Sequence, residues 1–148
     1  MGIRHQGREL ALQALYRIDI CGGASNEDLC AFFDSFTAEP SARRFATQLI
    51  DGVAAEIPGL DRQISATLEH WSIGRLSRVD HNILRLALFE LLHMEEIPAR
   101  VTIDEAIELA KCYGDHDSGR FVNGVLDEIA SRLDLKQKGE TADVSKAE

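Results

Sequence analysis

The side chains best suited to recognising another molecule lie near the amino end of the chain. Arg4, His5 and Arg8 precede or open the first predicted helix, and Tyr16 follows Arg8 by two turns on nearly the same face. Cations at a helix N-terminus oppose the helix dipole, so an anionic partner would relieve an unfavourable arrangement. Basic groups bind phosphates and aromatic rings stack on unpaired bases, which predicts a single-stranded RNA site. An ordinary polar terminus is the alternative.

No catalytic motif accompanies this cluster. The sequence contains no glycine-rich phosphate loop, no HExxH and no G-x-S-x-G. His81 and His93 are too far apart along one helix to bind a metal from adjacent turns. The carboxylates of Asp104, Glu105 and Glu108 fall near a predicted helix N-terminus, where solvated negative charge is favourable. The sequence therefore predicts a binding protein, with no enzymatic activity, no cofactor and no metal.

Composition favours one cytoplasmic domain. The 148 residues carry a net charge of −9, which argues against strong, non-specific nucleic-acid binding by the whole surface but leaves room for a small local basic site, and which suits a basic partner. Neither a membrane span nor a signal peptide is present. The odd number of cysteines, 3, fits a reducing compartment. We predict a helical domain over 1–135 and a disordered tail over 136–148, because the tail has few apolar residues.

The apolar residues recur with helical spacing, and they predict an all-α bundle of about seven helices. The turn and cap residues place the first helix at about 7–20, with a stop at Gly22, and start the second, third and fourth helices at Ser25, Pro40 and Pro58. The fifth helix spans about 78–94. The sixth runs from a Thr102–Glu105 capping box to Gly114, and the seventh begins at Asp117 or Ser118. The second helix would bury Leu29, Phe32, Phe33 and Phe36, and the fourth Leu60, Ile64, Leu68 and Trp71. A mid-helix glycine is costly, so Gly124 is predicted to face a closely packed neighbouring helix.

Four segments together resemble the NusB family of bacterial transcription antitermination factors. They are Arg8 to Tyr16, Val79 to Leu91, Val101 to Lys111 after Ile97-Pro98, and Ser118 to Asp127. The resemblance covers most of residues 4–133, in order. It implies a fold of two three-helix subdomains packed on each other.

The resemblance also implies a function and a set of RNA-binding residues. Family members pair with the ribosomal protein NusE, bind boxA RNA and join an RNA polymerase antitermination complex in ribosomal RNA operons. The matching positions here are Arg4, His5, Arg8, Tyr16, Asp80, Arg120 and Phe121. Gln6 and Gly7 interrupt an arm that is richer in arginine in the family, so we expect weak RNA binding without the partner. Some family members self-associate, and a homodimer would cover the RNA site.

Two other interpretations stay open. The N-terminal domains of some ribosomal RNA cytosine methyltransferases also resemble NusB, but this sequence ends at Glu148 without a methyltransferase domain. A helical adaptor that binds no RNA is the second. An RNA-binding measurement with and without the partner separates it from an antitermination factor.

Overall fold

The computed structural model describes residues 2–22, 31–35, 38–68 and 76–138. Within these residues the chain is all-α and contains no strand, as predicted. The helices are α1 (Ile3–Cys21), α2 (described over 31–34), α3 (Pro40–Thr67), α4 (Arg78–His93), α5 (Ala99–Tyr113) and α6 (Ser118–Arg132). The predicted number of about seven is therefore one too high for the described part of the chain.

The difference in number arises at Pro58. We expected this proline to end one helix and begin another, and the backbone does leave helical geometry two residues before it, at Glu56, where φ is −126° and ψ is 15°. The two segments are counted as one kinked helix, α3. A proline inside a helix removes one backbone hydrogen bond, and its ring crowds the preceding turn. Apolar side chains on both sides of the kink, including Val53 and Leu60, are buried in the same core. That shared core holds the two arms of α3 together as one bent helix.

Helix α4 is the centre of the bundle, as its apolar circumference predicts. Ile83, Leu84 and Leu88 are each 0% exposed. Helices α1 and α3 pack extensively on each other, as do α5 and α6, and α4 packs against both pairs. This arrangement agrees with the two packed halves that the resemblance implies. None of the described helices has the length and apolar character needed to cross a membrane.

The polar strip of α4 fixes its position against α3. The guanidinium of Arg85 donates two hydrogen bonds to Asp61, of 2.9 and 2.8 Å, and His81 Nε2 lies 2.8 Å from the same carboxylate. Burial acts to raise the pKa of Asp61, but Arg85 and His81 outweigh it and lower that pKa. Helices α3 and α4, which pack through apolar side chains, are therefore also joined by the ion pair of Asp61 and Arg85.

The helix ends confirm some cap predictions and correct one. Gly22 ends α1 in the left-handed conformation, with φ of 77°, and Gly114 ends α5. Asp117 occupies the N-cap of α6 without a side-chain cap hydrogen bond. The prediction that Thr102 and Glu105 form a capping box was wrong, because α5 begins at Ala99. The buried Thr102 hydroxyl instead donates to Glu90 Oε1 over 3.2 Å.

Some sequence predictions fall outside the described residues. They concern the start of the second helix at Ser25 and the burial of Leu29, Phe36 and Trp71. Phe32 and Phe33 are described, and both are buried.

The segment predicted as a disordered tail is described only in its first residues. Those residues, 136–138, form a turn. There Lys138 Nζ donates to the carbonyls of Glu90 and Met94, each over 2.8 Å, at the end of α4. Residues 139–148 lie outside the described part, so for them the predicted tail stays a prediction.

The close packing expected at Gly124 was wrong. Gly124 is exposed, and a Cβ added there would meet no atom within 4 Å. A position that does require glycine is Gly52 in α3, because a Cβ there would overlap the ring of Phe89. Phe89 is a rigid ring of the central helix, so α3 and α4 approach each other closely only because residue 52 is glycine.

These two glycines form a matched pair of substitutions with opposite expected signs. Gly124→Ala should raise the free energy of unfolding by up to about 1 kcal/mol, because alanine favours the helix and fills open space. Gly52→Ala should lower it by about 1–3 kcal/mol, because the methyl group overpacks against Phe89. Urea denaturation of both variants tests the pair. A stabilising Gly52→Ala would show that α3 and α4 can separate at no cost.

Candidate nucleic-acid interface

The N-terminal arm is held against the bundle by an aromatic ring. The Arg4 and Arg8 guanidinium carbons lie 5.9 and 5.5 Å from the centre of the Phe45 ring on α3. A Cβ at Gly7 would lie 2.7 Å from Cδ2 of Phe45, so this glycine lets α1 approach that ring. Cations over an aromatic face are attracted to it. Of the two arginines, only Arg4 is exposed to solvent.

The structure places Arg8 inside the protein. Its Nε and Nη2 atoms donate to the Glu90 carboxylate over 2.7–3.1 Å. The two residues are 3% and 2% exposed, and Thr102 donates a further hydrogen bond to Glu90. A forked arginine–carboxylate pair of this kind is strong and fixed in orientation. Arg8 therefore joins α1 to α4, and its guanidinium is already occupied by a buried partner.

His5 is bound between two carboxylates. Its Nε2 lies 2.6 Å from Glu9 on α1, and its Nδ1 lies 2.8 Å from Glu105 on α5. The His5 side chain is only 13% exposed. His5 therefore joins α1 to α5.

Tyr16 is the exposed aromatic residue of α1, with 38% of its surface accessible. Gln13 lies one turn before it, and residues three apart on a helix are neighbours on its surface. The Gln13 amide donates to the hydroxyl of Tyr113 over 3.3 Å, and that hydroxyl donates to Glu9 over 2.8 Å. Tyr113 was not among the predicted site residues. Its only sequence signal is its place beside Gly114, at the end of α5.

Asp80 is a buried carboxylate near two helix N-termini. It lies in the first turn of α4, where Ser77 is the N-cap and accepts from the Asp80 backbone N–H over 3.0 Å. Its side chain is 8% exposed, and Oδ1 has no hydrogen-bond partner. Burial raises the pKa of Asp80, and the negative charge of Asp115 adds to the rise. The N-cap of α4 is Ser77, and Asp80 lies inside the first turn of that helix.

The raised pKa makes Asp80 a source of pH-dependent stability. The folded state binds the Asp80 proton more tightly than the unfolded state, so stability falls as pH rises through the folded-state pKa. Asp80→Asn should therefore stabilise the protein at about pH 7, where the carboxylate is charged, and the gain should shrink at about pH 4. Urea denaturation at both pH values measures this. A destabilised Asp80→Asn at neutral pH would mean that the charge is favourable in its site.

The two remaining predicted residues open α6. Arg120 is exposed, and Phe121 is half-buried and packs against the core. The exposure of Arg120 fits a binding role, whereas the packing of Phe121 gives it a structural one.

The predicted site residues form two groups. Helices α1 and α4 run antiparallel, because Arg8 pairs with the end of α4 while Asp19 accepts from Arg78 and Asn82 at its beginning. Arg4, His5 and Arg8 therefore lie at one end of the bundle and Asp80 lies at the other. The 12 residues from Arg4 to Tyr16 span about 18 Å of helix. In the described residues no group of three metal-binding side chains occurs.

The fold and this surface define an all-helical protein with a candidate binding face along its first helix. The NusB family model matches residues 5–131. The chain is 47% identical over 145 residues to the transcription antitermination protein NusB of Citrifermentans bemidjiense, covering 93% of this chain and 100% of that one. The chain belongs to the NusB family.

Solved structures agree with this assignment. The structure of T. maritima NusB superposes with a TM-score of 0.77 and 41% identity, covering 86% of this chain and 90% of that one. A chain from the crystal structure of antitermination factors NusB and NusE in complex with dsRNA superposes with a TM-score of 0.75 and 30% identity, covering 88% of this chain and 97% of that one.

Proposed function

We propose that this protein is a transcription antitermination factor that binds boxA-type RNA together with the ribosomal protein NusE. It acts by binding and not by catalysis, and it works in the cytoplasm as part of an RNA polymerase antitermination complex. The observation that carries the proposal is the solved relative that holds NusE and RNA and matches nearly all of this chain. Relatives of higher identity carry the name antitermination protein NusB.

The RNA surface that we propose extends along the exposed face of α1. Arg4 lies at its N-terminal end and binds phosphate, because its guanidinium reaches solvent beside Phe45. Tyr16 provides a ring for stacking on a base, since more than a third of its surface is accessible. Arg120 supplies a second exposed cation at the start of α6.

Three of the predicted residues contribute to this surface in other ways. Arg8 orients α1 through Glu90 and does not bind phosphate itself, because both partners are almost fully buried. His5 is held by Glu9 and Glu105 and braces the same helix against α5. Asp80 is 8% exposed and its Oδ1 is buried, so it acts inside the protein at the beginning of α4 and does not contact RNA directly.

Charge explains why the partner is needed. The net charge of −9 repels RNA over most of the surface, and the arm offers Arg4 as its exposed arginine. Joining two weak RNA-binding surfaces raises affinity, because the second surface then binds at a high effective concentration. A basic partner such as a ribosomal protein also offsets the negative field of this chain.

The proposal is tested by titrating boxA-type RNA with three samples: this protein alone, NusE alone and the equimolar mixture. We expect the mixture to bind at least tenfold more tightly than either component, with about 1.4 kcal/mol corresponding to each factor of ten. A mixture that binds no more tightly than NusE alone would leave this chain without an RNA role. It would favour the helical adaptor that binds no RNA.

A further inference from the structure

We propose that Tyr113 is a second base-stacking residue, which together with Tyr16 forms a two-ring platform for successive bases of the bound RNA. This inference rests on the proposed RNA-binding function and adds a residue to its site. The two tyrosines come from different helices, α1 and α5. They are also the only 2 tyrosines of the sequence.

The hydrogen bonds of Tyr113 hold its ring in one orientation. Its hydroxyl donates to Glu9 Oε2 over 2.8 Å and accepts from Gln13 Nε2 over 3.3 Å. Burial, then the hydrogen bond and negative charge of Glu9, raise the pKa of Tyr113 to about 12. The phenol therefore stays protonated at neutral pH and remains a donor to Glu9. A ring fixed in this way loses little conformational entropy when a base stacks on it.

The position of Gln13 brings the two rings to the same face. Gln13 contacts the Tyr113 hydroxyl, and Tyr16 lies three residues further along α1, on the neighbouring turn. Both tyrosines remain partly accessible, Tyr113 with 37% and Tyr16 with 38% of the residue surface exposed. Two half-exposed aromatic rings on either side of a polar amide present stacking surfaces with a hydrogen-bonding group between them.

Stacking explains this exposure better than packing does. A tyrosine that served only the bundle would bury its ring and leave its hydroxyl in water. Tyr113 differs from such a residue, because its hydroxyl is hydrogen-bonded to Glu9 on α1 and 37% of the residue surface is exposed. Every nucleobase has a π-face, so a ring presented in this way accepts any base. The nearby Glu9 carboxylate argues against a phosphate at this point, which leaves the base as the contact.

The test measures boxA-type RNA binding to the NusE-bound protein for Tyr113→Leu, Tyr113→Phe and Tyr16→Ala. Tyr113→Leu keeps apolar bulk and removes the ring, and it should weaken binding by about 5- to 150-fold, the range for one lost base stack. Tyr113→Phe keeps the ring and removes the link to Glu9 and Gln13, so it should bind much more tightly than Tyr113→Leu. Neither change removes a phosphate contact, so the slope of log affinity against log salt should stay that of the parent.

Two readouts separate stacking from a merely structural role. NusE binding and the thermal midpoint should be unchanged in both Tyr113 variants, since the residue is peripheral. Tyr113→Leu binding RNA as tightly as the parent, while Tyr16→Ala binds weakly, overturns this inference and leaves the RNA function standing. A parent complex that binds no RNA overturns both.

Discussion

Replacing Glu90 by alanine is expected to lower the free energy of unfolding by about 3–5 kcal/mol, because it removes the buried carboxylate that accepts the hydrogen bonds of the Arg8 guanidinium. Arg8 is 3% exposed, and the remaining carboxylate near it, that of Glu105, lies 3.9 Å from Nη1, too far to replace those hydrogen bonds. Thr102 would lose its hydrogen-bond acceptor in the same substitution. Urea denaturation monitored by circular dichroism measures the loss directly.

A matched control is available on the next helix. Glu105 is 26% exposed and its carboxylate lies 3.9 Å from Arg8 Nη1, so Glu105→Ala should cost far less than Glu90→Ala. The double variant Arg8→Met, Glu90→Leu removes both charges together and should recover much of the lost stability, because a buried pair is often replaceable by apolar side chains of similar volume. Equal losses for Glu90→Ala and Glu105→Ala would contradict the buried pair.

The second large effect concerns RNA binding by α1. In the NusE-bound protein, Tyr16→Ala should weaken boxA RNA binding by about 1–3 kcal/mol, the usual range for one base stack. Arg4→Ala should act differently, because it removes a phosphate contact. It should weaken binding most at low salt and make the log–log salt slope shallower by about 0.7. One salt titration of both variants therefore distinguishes stacking from charge.

A surface cation away from α1 serves as the control for these variants. Arg62→Ala removes an exposed cation from α3 and should bind RNA like the parent. If Tyr16→Ala and Arg4→Ala also match the parent, while helicity and NusE binding are intact, the RNA surface lies away from α1.

Much of the fold is readable from the sequence because its signals are local. The apolar circumference of the segment at about 78–94 predicts a central helix, and Arg78–His93 is that helix. Gly22 ends α1 in the left-handed conformation for which glycine is suited.

The predicted break at Pro58 is present as the non-helical residue Glu56 within α3. The local signals failed at the start of α5, which begins at Ala99, because the Thr102 hydroxyl donates to the buried Glu90 and does not cap the helix.

The sequence supplies the candidate residues of the proposed site, but it does not show what those residues contact. Periodicity places Arg8 and Tyr16 on one helix at about 7–20, whereas α1 begins at Ile3 and so includes Arg4. It cannot show that Glu90, far along the chain, binds Arg8 in the core. Tyr113 was missed for the same reason, since its link to Glu9 and Gln13 connects α5 to α1. At Gly124 the sequence suggested a contact that does not exist. A glycine inside a helix is unfavourable, so we predicted a closely packed neighbour, but the space around Gly124 is open.

The most direct measurement of the RNA surface is the change in backbone amide chemical shifts when boxA RNA is added to the NusE-bound protein. We predict that the amides of Arg4, Tyr16, Tyr113 and Arg120 shift. The amides of Gln63 and Arg132, which are joined to each other where α3 meets α6, should stay where they are. Shifts centred on Gln63 and Arg132, with α1 unchanged, would contradict an RNA surface on the first helix.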